Sequence, residues 1–251
     1  MARYDFRTPR LYLDAPLRSG AEVALDRDQS NYLFNVLRLP EGASVLLFNG
    51  RDGEWRSSVS KTGKRGGALH IAEQARAQTA ATDLHLLFAP LKHARLDYLV
   101  QKAVEMGVSR IQPVITQHTQ VTRVNVERMR ANVVEAAQQC GVLSLADVDE
   151  PVRFAEMLEG LEPAKLLVFC DEDAEMRDPI EALAQARPAG SLAVLLGPEG
   201  GFSEAEREAL VNRGHVLRVS LGPRILRADT AAVAALALVQ AVLGDWAGSR
   251  V

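Results

Sequence analysis

The chain has 251 residues, 47% of them hydrophobic, 24% charged and only 5% aromatic, with a formal net charge of −3 at pH 7. This composition excludes disordered, collagen-like and disulfide-scaffold proteins, and with no overall basic field any contact with nucleic acid must come from a local patch. The two cysteines, Cys140 and Cys170, form no CxxC pair, cannot build a thiolate metal site alone, and fit a reducing compartment better than secretion.

The opening stretch, MARYDFRTPRLYL, clusters Arg3, Arg7 and Arg10 but lacks the apolar core of a signal peptide. Five short segments follow with alternating or branched apolar residues: RLYLDAPL, AEVALD, ASVLLFNG, EWRSSVSK and ALHIAEQ. They read as strands, separated by turn signals at Arg18-Ser19-Gly20, Asp52-Gly53 and Gly63 through Gly67. One helix is expected over Asp28–Leu37, where Tyr32 and Val36, and Leu33 and Leu37, stand four apart. So many short strands with one helix close naturally into a small β-barrel or sandwich, expected to span residues 1–75.

The pattern changes after the small, polar connector AQTAATD, and a second domain is expected over residues 76–251. Apolar strands LHLLFAPL, RIQPVIT, KLLVFCDE, SLAVLLGPEGG and HVLRVSLG alternate with helical patterns over Arg95–Met106, Asn125–Cys140, Val152–Leu158, Pro179–Ala186 and Ser203–Asn212. Near-continuous apolar strands joined by helices imply an α/β fold whose mostly parallel sheet is covered on both faces. Ser203 with Glu206 makes a capping box that opens one helix. The final helix, Asp229–Leu243, is apolar nearly all round and calls for burial in the core or against another subunit. Its longest apolar stretch, Ala231–Leu243, is broken by Gln240 and too short to span a bilayer, so a cytoplasmic globular protein without a membrane partner is expected.

Three clusters carry chemistry. The first, Leu195 through Phe202 with Gly197-Pro198-Glu199-Gly200-Gly201, runs from a strand through a glycine-rich loop into a capped helix, where open α/β sheets place ligands. It matches neither G-x-G-x-x-G nor the phosphate loop with its Gly-Lys-Ser/Thr, so dinucleotide and nucleoside-triphosphate binding lose their usual support. The second, Leu221 through Ala231, again joins a strand end to a helix. Asp229 or Thr230 there is placed to cap the helix, and Arg224 and Arg227 suit an anionic substrate. The third, Lys92-His93-Ala94-Arg95, leads into Tyr98, Gln101, Lys102 and Glu105; Lys102 and Glu105 lie one turn apart, and a surface ion pair is their ordinary role. The five histidines are scattered without ligand spacing, so no metal is expected, and no nucleophile elbow is present.

Together these clusters resemble the RsmE-type ribosomal RNA uridine-N3 methyltransferases of the SPOUT superfamily. The matching stretches are Leu99 through Val108, Glu135 through Gln139, Leu196 through Phe202 and Leu221 through Ala231, with Arg10-Leu-Tyr-Leu13 and Val36-Leu-Arg38 through Gly42 near the start. Asp229 stands where that family commonly has Glu, and Val142 where it often has Arg. The resemblance implies a PUA-like barrel followed by a trefoil-knotted α/β domain, a homodimer, and S-adenosyl-L-methionine as methyl donor. It places Leu196, Gly197, Glu199, Gly200, Leu221, Ile225 and Leu226 around that cofactor, with Phe169, Cys170 and Asp171 as a third wall. It implies methyl transfer to N3 of a uridine in small-subunit (16S) ribosomal RNA, with Arg227 stabilising the developing anion and Asp229 a candidate proton acceptor. RNA contacts are expected from Arg7, Arg10, Arg38, Lys92 and Lys102. Three other readings keep part of the pattern: a SPOUT methyltransferase acting on another ribosomal or tRNA nucleotide, a non-catalytic RNA-binding assembly factor, and an α/β enzyme of small metabolites.

Overall fold

The computed structural model describes residues 5, 7–63, 66–121, 123–174, 178–186 and 190–246, with all their side chains except that of His93. Arg3, expected in the basic cluster at the start, lies outside the described residues. The chain divides into two compact units, Met1–Ala80 with Ala137–Leu145, and Ala81–Ala136 with Ala146–Val251.

The first unit contains β1 (Arg10–Tyr12), β2 (Glu22–Ala24), α1 (Arg27–Asn31), β3 (Ser44–Phe48), β4 (Glu54–Thr62) and β5 (Gly66–Arg76). They form one sheet in the order β1-β3-β4-β5-β2, parallel between β1 and β3 and antiparallel elsewhere. Leu11, Leu33, Val45, Leu47, Val59, Leu69 and Ile71 fill its core, as the alternating pattern requires. The helix expected over 28–37 exists in two parts. Asp26 caps α1 by accepting from the Gln29 N–H, in a capping box with Gln29. The chain then widens into a π turn over Tyr32–Val36, closed by the Leu37 N–H on the Tyr32 carbonyl at 2.9 Å. Pro40 bars regular continuation, and Arg38 turns the chain with φ of 53°, the left-handed region that favours glycine. Beneath this surface Glu54 is buried, receiving Arg10 Nε at 2.8 Å and Arg76 Nε at 2.7 Å, so one carboxylate joins β1, β4 and β5. Burial pushes the Glu54 carboxyl up, but the two guanidinium groups outweigh it and hold the group below the usual carboxylate range.

The second unit contains β6 (Leu84–Phe88), α2 (His93–Glu105), β7 (Arg110–Ile115), α3 (Val126–Cys140, whose end belongs to the first unit), β8 (Asp147–Val148), β9 (Val152–Arg153), α4 (Phe154–Glu159), β10 (Leu166–Cys170), α5 (Pro179–Gln185), β11 (Leu192–Leu196), α6 (Glu204–Val211), β12 (Val216–Val219) and α7 (Ala228–Val242). The sheet runs β12-β10-β11-β6-β7-β8, every pairing parallel, and β9 also pairs with β7. All five residues of β11 are buried, as expected of a central strand covered on both faces. Ser203 caps α6 through the anticipated box with Glu206.

On α7, Ala232, Ala235, Leu236 and Val239 face the core. Gln240, which breaks the apolar run, is satisfied at both ends: its Nε2 donates to the Met106 carbonyl at 2.6 Å and its Oε1 accepts the Asp245 N–H at 3.1 Å. Ala231, Val233, Ala234, Ala237 and Leu238 remain only half-buried. The anticipated cap at Asp229 or Thr230 is not where the helix starts. It begins at Ala228 with Arg227 in the capping position, which makes no side-chain cap bond, and Asp229 Oδ1 accepts the Thr230 N–H at 2.9 Å inside the first turn.

Candidate functional site

Because the sheet of the second unit is parallel, its strands end together at one edge. Register sets Cys170 of β10 level with Leu196 of β11 and Val219 of β12. Just beyond these ends lies a cleft of about 510 Å³, within the roughly 300–1,000 Å³ typical of small-molecule sites. All seven residues anticipated around a cofactor line it: Leu196, Gly197, Glu199 and Gly200 on one loop, and Leu221, Ile225 and Leu226 on the other. From the anticipated third wall, Cys170 and Asp171 also line it. Phe169 does not: strand alternation turns it into the core, where it meets the Phe202 ring edge-on at 5.0 Å.

The glycines of the first loop have identifiable reasons. A Cβ on Gly197 would stand 2.6 Å from the Phe202 ring, so the loop closes over that anchor only without a side chain. Pro198 and Gly201 make a turn, with the Gly201 N–H on the Pro198 carbonyl at 2.9 Å and φ of 68° at Gly201. The Glu172 carboxylate fills the space that a Cβ on Gly201 would need. On the second loop Ile225 is fully exposed, and Arg224 and Arg227 are exposed with no ion pair among the described residues. Arg227 and Asp229 flank the lining residue Ala228 and stand at the rim, outside the cleft surface itself.

Acidic groups give the cleft its electrostatic character. The Asp171 side chain is fully buried; its Oδ2 accepts Arg218 Nε and Nη2 at 2.9 and 2.6 Å, and its Oδ1 lies 3.1 Å from Arg207 Nε. The Asp173 N–H also reaches Asp171 Oδ1, at 3.2 Å. Arg207 continues to Glu172 and Asp173, so one guanidinium gathers three consecutive carboxylates at the end of β10. Glu199 pairs with Arg95 on the first turn of α2. Burial pushes the Cys170 thiol up to about 12, with Asp171 adding to it, which leaves an inert thiol rather than a nucleophile. Aliphatic walls, exposed backbone and carboxylates together suit a ligand with an apolar body and a cationic centre. Arg207 and Arg218 escaped the sequence reading, because a basic residue on an amphipathic helix or an edge strand looks solvated until its distant partner is known.

The anticipated RNA-contacting side chains fare differently. Arg10 is a correction: its side chain is 5% exposed and committed to Glu54, so it is closed off from a phosphate. Arg7 and Arg38 are exposed on the first unit, and Lys92 is exposed at the capping position of α2. Lys102 is half-buried, 2.7 Å from Glu105 and 5.4 Å from the Tyr98 ring centre, the surface pairing its spacing suggested. No group of three His, Cys, Asp or Glu side chains among the described residues could hold a metal ion, and no described helix is long and apolar enough to cross a membrane.

Comparison with known families finds the RNA methyltransferase domain over residues 78–240 and the RNA methyltransferase PUA domain over residues 25–71. The chain is similar to the ribosomal RNA small subunit methyltransferase E of Rickettsia conorii, 29% identical over 232 residues, covering 92% of this chain and 94% of that protein. The Synechocystis protein of the same name is 30% identical, covering 89% of this chain and 74% of its own length. Among solved structures, ribosomal RNA small subunit methyltransferase E of Neisseria gonorrhoeae bound to S-adenosyl methionine superposes with a TM-score of 0.83 at 27% identity, covering 93% of this chain and 97% of that one. A putative methyltransferase from Legionella pneumophila with bound SAM gives 0.82 at 28% identity, covering 94% and 98%.

Proposed function

Because the chain belongs to the RNA methyltransferase family and carries a PUA-like unit ahead of a SPOUT-like α/β methyltransferase fold, we propose that it transfers a methyl group from S-adenosyl-L-methionine to N3 of a specific uridine in small-subunit (16S) ribosomal RNA. The observation that carries this reading is the meeting of both loop motifs in one cleft at the carboxyl ends of β10, β11 and β12. The cleft fits the donor. Leu196, Leu221 and Leu226 offer aliphatic surface for a purine, and the exposed carboxylates of Glu172 and Glu199 complement a sulfonium and an ammonium. When bound, the donor supplies an electrophilic methyl group.

The acceptor nitrogen carries an imide proton and must gain anionic character before it attacks. Arg227, permanently charged and at the cleft rim, stabilises negative charge spreading onto the uracil carbonyls. Asp229, the second residue of α7, accepts the proton directly or through water. Arg7, Arg38, Lys92 and Lys102 contact phosphates, setting affinity and its salt dependence rather than sequence choice. The half-buried face of α7 and the exposed Ile225 are covered by a second copy in a homodimer, and the two loops belong to the family's knot. A ribosomal substrate places the enzyme in the cytoplasm.

Calorimetric titration with S-adenosylmethionine and S-adenosylhomocysteine tests the cofactor assignment: micromolar binding near one per subunit is expected, and no binding by folded protein would remove the donor. Mapping the nucleotide methylated on small subunits lacking the mark tests the substrate. Arg227→Ala should leave donor affinity near normal and lower turnover at least a hundredfold, about 2.7 kcal/mol of barrier. Turnover within about threefold of wild type, roughly 0.7 kcal/mol, would remove Arg227 from the transition state.

A further inference from the structure

We propose that His118 is a positioning residue for the glycine loop, holding it in the shape that receives the methyl donor; the inference rests on that loop being part of the donor site. The histidine follows β7 in a tight turn, with the Thr119 N–H on the Thr116 carbonyl at 3.2 Å and the Thr116 N–H on Thr119 Oγ1 at 2.9 Å. The turn is fixed to the start of α6: the Gln117 N–H donates to Glu206 Oε1 at 2.8 Å, while Glu206 Oε2 accepts the Ser203 N–H at 3.0 Å. From this mount His118 Nδ1 reaches two backbone oxygens of the glycine loop, Gly200 O at 3.1 Å and Gly201 O at 3.2 Å.

Carbonyl oxygens only accept, so Nδ1 must donate, which fixes the neutral tautomer with its proton there. The imidazolium carries the same Nδ1 proton, so the pin survives protonation of the ring. The loop backbone rests directly on the histidine, because a Cβ on Gly200 would stand 3.3 Å from His118 Cβ. Of the loop's own amides, the Gly201 N–H is taken by Pro198, whereas those of Glu199, Gly200 and Phe202 have no acceptor among the described residues. A segment so poor in internal bonds needs outside anchors to keep one shape. Phe202 anchors one end in the core and His118 fixes the carbonyls beside it. Glu199 and Gly200 line the donor cleft, so freedom gained by this loop is paid by the ligand on binding.

The test uses His118→Leu, which removes the donor, and His118→Asn, whose amide nitrogen replaces Nδ1 at similar reach. In the ligand-free protein, hydrogen exchange of amides 199–202 should quicken about tenfold with leucine, and the Kd for S-adenosylmethionine and S-adenosylhomocysteine should rise about tenfold, with an unchanged unfolding midpoint. Asparagine should return exchange and affinity to within threefold of wild type and keep turnover and its pH profile. Unchanged exchange and a Kd within twofold in the leucine variant would overturn the proposal. So would an asparagine variant with normal affinity but turnover lost a hundredfold, since His118 would then handle a proton. If wild-type protein binds neither ligand, the donor assignment falls by itself, while the exchange contrast still decides whether His118 holds the loop.

Discussion

Glu54 in the first unit and Asp171 in the second are each 2% exposed, and each has two guanidinium groups beside its carboxylate. The clasp is alike, but the surroundings differ. Arg10 and Arg76 have side chains 5% and 17% exposed, and the Glu54 carboxylate they hold lies among strands of one sheet, with Arg10 closed off from water. Arg207 and Arg218 are 19% and 33% exposed, and their carboxylate stands in the wall of a cleft. A buried charge pair contributes through what its loss leaves behind. In the first unit what is left includes the enclosed Arg10 guanidinium, and the clasp acts on folding. In the second, water reaches the cations, and the clasp acts on the direction of Asp171, Glu172 and Asp173 at the end of β10.

Breaking the first clasp should have the largest effect. Glu54→Ala leaves the buried Arg10 guanidinium without its carboxylate and should cost about 3–5 kcal/mol of stability, read from equilibrium denaturation. A loss under about 1 kcal/mol would show that water reaches this cluster and would dissolve the contrast. Asp171→Asn keeps shape and removes charge. It should weaken donor binding by about 1.5–3 kcal/mol, the range for hydrogen bonds to charged groups, while moving the unfolding midpoint less than Glu54→Ala does. A larger effect on folding than on binding would make the two clasps equivalent.

The smallest effect is acid sensitivity. The folded Glu54 carboxyl lies below its ordinary value of 4.5, with burial opposing and the two arginines prevailing. A depressed pKa contributes stability that is present above the unfolded value and lost as pH falls through the folded one. Unfolding free energy measured downward from pH 6 should therefore decline below about pH 4.5 in wild type and more shallowly in Glu54→Gln. Equal slopes would assign acid sensitivity to other carboxylates.

The parts of this molecule that local patterns encode were legible in the sequence. The strands around Leu195 and Phe169, the capping box at Ser203 and the position of the glycine loop at a strand end all follow from residues within a few positions of each other. So did the gathering of two motifs at one edge, because parallel strands leave no other place for their following loops. What escaped depends on partners far along the chain. Arg10 reads as a surface charge until Glu54, 44 residues later, closes over it. Arg207 and Arg218 hid for the same reason, and His118 looked like one scattered histidine until Gly200, 82 positions away, arrived beside it. The grouping of residues 137–145 with the first unit gives no local signal at all.

Arg38 adopts a backbone conformation that glycine enters freely, with φ of 53° and an exposed side chain. Glycine there would relieve about 1 kcal/mol of steric cost, but it would also loosen the unfolded chain by a comparable amount. Folding is therefore nearly indifferent to the choice between arginine and glycine at this corner, whereas β-branched residues and proline do not fit its positive φ. Replacing Arg38 by glycine therefore removes an exposed cationic side chain with little change in folding, so any change in binding reports what that side chain touches rather than how well the protein folds.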